Sequence, residues 1–538
     1  MEKRLFLAVL LSLGVVFVFQ AFFKPKQMPE AVSKSVHQST AYPESQSSSG
    51  HDLNDQDARA GTADDANPAA TIKEDLTSAQ VGPFLFQVSN IGGQIKKVEL
   101  TDQKYVLPIQ GIAEIGLFND KTFTSNQIDK NTLLLSHDSA DWAVIKSIKV
   151  HGYQILVDYK ITNKTNALKS VELQAKPFEI DLSRLDNKEI KSEWTLFEYA
   201  FRSESKISRK EQVNNFSEKW NKSEDKKIEW ISFRDRYFAV VVAPENEFKG
   251  FSTKVLGDKN LTFHAIENPV TIAAGAVIER KYTVYAGPQR LDLLKEARPG
   301  FEKVLVFSSW GWLDAIAKII YWLLGALHKV LPSWGLCIIL VSLIVYGVMY
   351  PLTLKSMISM KKMQAVQPKM AQLKEKYKNS PEKLNKEVVE LYRVEGINPL
   401  SGCLPLVLQM PIFVGLYQVL WRSIYFRGEG FLWIKDLSMP DRLYHLPFEI
   451  PFLGSFFNIL PFLMMGIMFV QQTLTMKSMA GGDPEQVAQQ KMMATLMPVV
   501  LGVVFYNFSS GLNLYFVVFY SMSAISQWYI GKTVKAGS

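Results

Sequence analysis

A chain of 538 residues with 60 basic and 52 acidic side chains, net charge +8, is 47% apolar and 21% charged, an ordinary globular balance that gives nucleic-acid binding little electrostatic support. Two cysteines exclude a disulfide scaffold and a four-cysteine zinc site, and the seven histidines form no HExxH pair. The mean hydropathy of +0.01 conceals two unlike halves: residues 24–300 are polar and charged, whereas 310–535 are dense in Leu, Phe, Met, Ile and Trp.

Residues 1–23 place Lys3 and Arg4 before an apolar run from Leu5 to Phe23, long enough to cross a bilayer at ~1.5 Å per residue. The run stays bulky to its end, with no small-x-small cleavage site, so an uncleaved N-terminal anchor that starts in the cytoplasm is expected over a cleaved signal peptide. Residues 24–80, rich in Ser, Gln, Asp, Ala and Pro, are expected to be a flexible linker. Short β-type runs such as Phe84–Val88 and Tyr153–Val157, with turn signals at Gly92-Gly93, Asn163, Gly257-Asp258 and Gly275, predict a β-sandwich over 81–307. Over 308–333 a helix with Asp314, Lys318, Tyr321, Gly325 and His328 on one side reads as an amphipathic helix lying in the membrane interface.

Five apolar segments follow, at about 334–354, 404–425, 456–474, 493–508 and 512–531. Between the first two, 355–400 holds ten basic and five acidic residues, while 426–455 holds three and four. Positive loops stay inside. The expectation is therefore six spans, with 355–403 and 475–492 in the cytoplasm, 24–307 and 426–455 outside, and both termini inside, the last as a short tail, 532–538. The fifth span has only about sixteen apolar residues, about 24 Å of helix, and is expected to thin the bilayer locally.

The stretch 355–403 reads as a helical hairpin. Met363, Val366, Met370, Leu373 and Tyr377 line its first arm, Asn379-Ser380-Pro381 breaks it with Ser380 as N-cap, and Leu384, Val388 and Leu391 line the second arm. It is either a self-packed pair with a solvated basic face or a docking element, and the two can coexist. Sixteen of the eighteen methionines lie at or after Met349. Flexible Met suits surfaces that accept many apolar sequences, although core filling is its commoner role.

Ile397-Asn398-Pro399-Leu400-Ser401-Gly402-Cys403-Leu404-Pro405, followed by Gln409-Met410-Pro411-Ile412-Phe413, resembles the YidC/Oxa/Alb family of membrane protein insertases. Val348-Met349-Tyr350-Pro351-Leu352-Thr353, Leu432-Trp433-Ile434-Lys435-Asp436-Leu437-Ser438, Gln489-Gln490-Lys491-Met492-Met493 and Ser510-Gly511-Leu512-Asn513-Leu514-Tyr515 extend the resemblance over about 310–531. Ile91-Gly92-Gly93-Gln94-Ile95 and Trp230-Ile231-Ser232-Phe233 resemble, more weakly, the outer domain of the family's two-membrane bacterial branch. The resemblance implies an α-helical polytopic membrane protein of the bacterial inner membrane. Its five-helix core would surround a polar groove, and its β-sandwich would stand in the periplasm. It implies insertion and folding of newly synthesised inner-membrane proteins, alone or beside the Sec translocon, with ribosome or targeting factors meeting the hairpin and no nucleic acid apart from ribosomal contact. No chemical bond changes in such a process, so the chain is read as no enzyme, with no catalytic residue, cofactor or metal.

Helix phase nominates the groove residues. Ser342, Tyr346 and Tyr350 recur every four residues; Gln409 stands alone among apolar neighbours, with Phe413 one turn on; Asn513, Tyr520, Ser523 and Gln527 form a stripe beside Phe516. Polar residues inside spans face the interior or a wet cavity, or else hydrogen-bond between packed helices. Family members commonly carry an arginine four residues before the Tyr-Pro-Leu-Thr motif. Here that position is Tyr346, which places direct pairing with acidic tails in doubt. A small-solute transporter or channel is the alternative, but no inverted repeat or pair of broken helices supports it. An intramembrane protease lacks a histidine in the core spans, and a pure scaffold leaves the polar stripes unexplained.

Overall fold

A computed structural model describes residues 73–181, 183, 197–204, 206–212, 216, 218–257, 259–398, 404–450, 453–477 and 484–533. The expected N-terminal anchor, most of the linker, the motif residues 399–403 and the tail from 534 lie outside these, as do the side chains of Gln489, Gln490 and Lys491. The chain divides into two compact units, one of residues 1–231 with 242–282, the other of 232–241 with 283–538.

In the first unit, strands with apolar residues at every second position hide one face each. Trp142–His151 pairs antiparallel with Gln154–Asn163 in this way, and both belong to a nine-stranded sheet. A seven-stranded sheet built around Gly250–Leu256 and Asn260–Ile266 lies opposite. Phe201 meets Phe251 with ring centroids 4.6 Å apart, and Tyr199 meets Phe263 at 5.5 Å, so the two inner faces share one aromatic core. Lys146 on the first sheet reaches Glu114 on the second at 2.7 Å, both fully buried. A four-stranded sheet opens at Leu76–Val81, inside the stretch expected to be linker. That strand is exposed at four of its six positions, so its sequence lacks a clear alternation. Gly92 and Gly93 take φ of 69° and 56° in the turn before Ile95–Leu100, and a Cβ on Gly93 would sit 3.0 Å from the Phe123 ring.

The second unit is mainly helical. Its helices are α1 (Leu291–Ala297), α2 (Gly311–His328), α3 (Trp334–Ala365), α4 (Gln367–Lys376), α5 (Pro381–Val394), α6 (Leu404–Arg422), α7 (Ile459–Lys477), α8 (Pro484–Phe505) and α9 (Ser510–Thr533). α9 packs chiefly on α7 and α3, and α2 on α6. Tyr321, expected on the polar side of α2, is buried because its ring stacks on Tyr425 at 5.2 Å and meets Phe307 at 5.3 Å. Trp312, Ile319 and Trp322 are the exposed residues instead.

Several boundaries differ from the expectation. α3 continues past 354 to Ala365, and the hairpin's first arm is interrupted at Val366, where Pro368 lacks the N–H a continuous helix needs. Ser380 precedes α5 but makes no side-chain capping bond. α8 is a helix of 22 residues that starts before the expected fifth span, and its apolar part, Ala494–Phe505, ends before the expected Phe508. Phe456 and Phe457, placed at the start of the fourth span, belong instead to a strand, Gly454–Phe457, that pairs with Tyr444–Ile450. Among the described residues two helical stretches, Trp334–Met363 and Ile459–Met476, are long and apolar enough to cross a membrane by length and composition. α6 and α9 carry Pro, Tyr, Ser, Asn and Gln, which lower their mean hydropathy.

Candidate functional site

The candidate groove residues fall on α3, α6 and α9, and the structure sorts them into three groups around α9. On α3, Ser342 is fully buried and donates its hydroxyl to Ile338 O of its own helix at 2.6 Å. Tyr346, 6% exposed, sets its ring edge-on to Phe519 of α9 at 5.5 Å and lies 6.2 Å from the half-buried Tyr350. The Tyr346 hydroxyl is buried beside Ser526 of α9 without a well-formed hydrogen bond.

On α6, Gln409 donates its side-chain amide to Tyr515 Oη of α9 at 2.5 Å. One turn on, Phe413 packs against Phe516 at 5.3 Å and Phe505 at 5.9 Å, and Phe505 and Phe516 meet at 4.9 Å. Asn513, fully buried near the start of α9, donates to Phe505 O at 3.1 Å and so ties α9 to the end of α8; its Oδ1 has no partner. Tyr520 stacks on Phe516 at 5.8 Å.

The remaining pair faces α7. Gln471 donates to Ser523 Oγ at 3.2 Å, and Thr475 donates to Gln527 Oε1 at 2.8 Å. Both partners are four residues apart on both helices, so they form two successive rungs. Gln471 Oε1 is buried and unpaired. The sequence reading omits Gln471, Thr475, Tyr515, Phe505 and Phe519. The cluster Gln471-Gln472-Thr473 at the end of an apolar run was a visible signal for the first two. The aromatic partners carry none, since a Phe in a span is ordinary.

One end of this arrangement is braced by hydrogen bonds. Ser510 N and Gly511 N donate to Met439 O and Leu437 O at 2.7 and 2.9 Å, so the turn into α9 is held to the segment between α6 and α7. A Cβ on Gly511 would stand 3.1 Å from Leu437 O, which suits glycine to that approach. Asp441 Oδ2 accepts from Ile459 N and Leu460 N at 2.8 and 3.0 Å and caps α7. Arg236 donates to Trp421 O at 2.6 Å and Ser438 O at 3.2 Å, satisfying a carbonyl at the end of α6. Within the described residues no three His, Cys, Asp or Glu side chains cluster as metal ligands. The arrangement offers hydrogen-bonding groups inside an apolar bundle, with no nucleophile–base pair among the groove residues.

Two family models match the chain in succession: the YidC periplasmic domain over residues 112–323 and the 60Kd inner membrane protein over 326–537. The membrane protein insertase YidC of Methylobacillus flagellatus is 30% identical over 99% of this chain and 97% of its own length. Those of Janthinobacterium sp. and Chlorobium phaeovibrioides are 38% and 35% identical, each over 56% of this chain, and these matches span about half the relative, 52% in both cases. A galactose mutarotase-like protein from Lactobacillus casei covers 39% of the chain at 9% identity with a TM-score of 0.31, too low to carry an argument.

Proposed function

We infer that this chain, which belongs to the family of the membrane protein insertase YidC, inserts and folds newly made proteins in the inner membrane along a polar groove. The groove is assigned to Ser342, Tyr346, Tyr350, Gln409, Phe413, Asn513, Phe516, Tyr520, Ser523 and Gln527, with Gln471 and Thr475 added from α7. The observation that carries the reading is the pair of buried polar atoms without a protein partner beside α9, Asn513 Oδ1 and Gln471 Oε1, with the Tyr346 hydroxyl close to Ser526 but not well bonded.

An unsatisfied polar group in hydrocarbon costs several kcal/mol. Water, or the backbone of a polar segment in transit, satisfies such atoms and is satisfied by them. The dry path that a polar tail must cross is thereby shortened, while the aromatic cluster of Phe413, Phe505 and Phe516 gives an apolar helix a surface to slide along into lipid.

In this reading the chain crosses the membrane six times with both termini in the cytoplasm and the large β-domain in the periplasm. The hairpin of α4 and α5 meets the ribosome or a targeting factor, and the Sec translocon is a partner for larger substrates. The test is depletion of the protein, followed by pulse labelling and protease protection of small inner-membrane proteins. Failure of their outer segments to become protease-accessible is expected. Normal insertion after depletion would overturn the reading.

A further inference from the structure

Between α6 and α7 stands a two-stranded antiparallel hairpin, Tyr444–Ile450 with Gly454–Phe457. No residue of its first strand is buried, and all four of its second strand are only half-buried. Leu443 is 46% exposed, Tyr444 63% and Phe448 61%. From 443 to 457 the one charged residue is Glu449, with His445 beside ten or more apolar positions. An isolated hairpin of this kind is at best marginally stable in water, and apolar strand edges without charge are a template for aggregation. None of the described residues covers it.

Its surroundings name the cover. α7 follows the hairpin directly, and over its apolar window only 22% of residues are buried, with Phe469 and Val470 exposed on an outward flank. Ile459, Phe462 and Leu463 are exposed in its first turns, and Phe457 of the hairpin stacks on Phe462 with centroids 5.3 Å apart. The apolar surface of the hairpin is thus continuous with the outward flank of α7. The 19 residues of α7 give about 28 Å of helix, close to the ~30 Å hydrocarbon core. The hydrocarbon then begins near Ile459 and the base of the hairpin lies at headgroup depth, the level at which Tyr rings and a still-hydrated strand edge are both tolerated. We propose that this hairpin is a lipid-embedded element, lying in the headgroup–acyl boundary of the leaflet at the N-terminal end of α7 with Tyr444 at headgroup level and Phe448 against the lipid chains. The proposal goes beyond the insertase reading but rests on α7 crossing the membrane.

The test uses the full chain with Cys337→Ala and Cys403→Ser, carrying one NBD-labelled cysteine at Phe448→Cys, Val470→Cys or Lys130→Cys, in phospholipid vesicles. Val470 is 56% exposed in the middle of α7 and Lys130 is an exposed residue of the β-domain; Phe448 fills no core position, so its replacement leaves the fold intact. Nitroxides near the headgroup end of the lipid chain should quench the 448 probe more than nitroxides near the methyl end, with the reverse order at 470. Aqueous iodide should quench at 130 and lose most of its effect at 448. Iodide quenching at 448 equal to that at 130 would overturn the proposal while the 470 probe still reports a crossing helix. Shielding from iodide without any nitroxide quenching would overturn it in favour of a protein cover. A 470 probe untouched by the deep nitroxide would overturn the crossing by α7 and this inference together.

Discussion

The amide of Gln409 donates to the hydroxyl of the fully buried Tyr515 at 2.5 Å, joining α6 to α9. Gln409→Leu strands the Tyr515 hydroxyl in an apolar setting and should cost about 1–3 kcal/mol of stability, the penalty of an unmet buried polar group. Tyr515→Phe leaves a half-buried amide that can turn to water and should cost less. The double substitution removes both partners and should be less destabilised than the sum of the singles. Thermal unfolding of the four proteins in detergent reads this out; strict additivity would show that the bond contributes nothing. Insertion of substrates with polar tails should fall in the two variants that lose Gln409, the groove residue, and hold in Tyr515→Phe, which leaves the Gln409 amide free.

Tyr346 is packed edge-on against Phe519, and its hydroxyl lies beside Ser526 without a well-formed hydrogen bond. Tyr346→Phe keeps the ring contact and removes that hydroxyl, so abundance should hold or rise while polar-tailed substrates insert more slowly and short uncharged ones do not. Tyr346→Arg loses the ring contact and brings a charge into a site that is 6% exposed. Insertion scales put such a charge at ~2.5–3.5 kcal/mol. A groove that admits water at this position relieves that cost, so the Arg protein should accumulate about as well as the Phe protein, measured by immunoblot of membranes after equal induction, and should insert acidic tails faster. Loss of the Arg protein beside a fully active Phe protein would show dry packing and remove Tyr346 from the groove.

The apolar runs that become α3, α6, α7, α8 and α9 are legible because an all-apolar segment has few other uses. The polar stripe of α9 is legible at helical spacing, but its division is not. Ser523 and Gln527 turn to α7, whereas Asn513 ties off the α8–α9 turn, because which neighbour a face meets is decided by tertiary packing. Gln471 and Thr475 escape notice at the end of their run, where polar residues usually mean only that the membrane has ended. The lipid-facing hairpin at 444–457 escapes because its residues are apolar on both faces, so the period-two alternation that marks a half-buried strand is missing. The β-domain core is easier to read, since Trp142–His151 and Gln154–Asn163 alternate over ten residues each.

His264 lies in the strand Asn260–Ile266, where burial and then the charge of Lys176 hold its imidazole below the usual 6.5, against a weaker pull from Glu179. As pH falls below about 6.5 the unfolded chain takes up the proton while the folded one stays neutral, so the unfolded state binds more protons and stability drops. The stabilising contribution is whole above that pH and is lost progressively below it. His264→Gln should flatten this part of the profile. Hydrogen exchange in 260–266, compared between the two proteins at pH 7.5 and again near 5.5, should show protection converging at the lower pH. A parent-to-variant ratio that does not change with pH would exclude His264 as the source.

The buried pair of Lys146 and Glu114 is held by more than its own contact. Glu114 Oε1 also accepts from Ile95 N at 3.2 Å and Ile112 N at 3.3 Å, and Lys146 Nζ reaches Gly93 O at 3.3 Å. Removing one partner leaves the other charge buried without its opposite, which typically costs 3–5 kcal/mol, on the order of the stability of a small domain. Lys146→Met and Glu114→Gln should each be destabilised on that scale. Lys146→Met with Glu114→Gln should recover most of the loss, because no charge remains and the glutamine oxygen still accepts from both backbone amides. Lys146→Met with Glu114→Leu removes the same charges but strands Ile95 N and Ile112 N, and should stay about 1–3 kcal/mol below the glutamine double variant. Urea unfolding of the full chain, followed by hydrogen exchange in Trp142–His151, separates the two. Equal stability of the double variants would show that the carboxylate matters only as the counter-charge of Lys146, and a lower stability of the leucine form that it also organises the turn at 111–113.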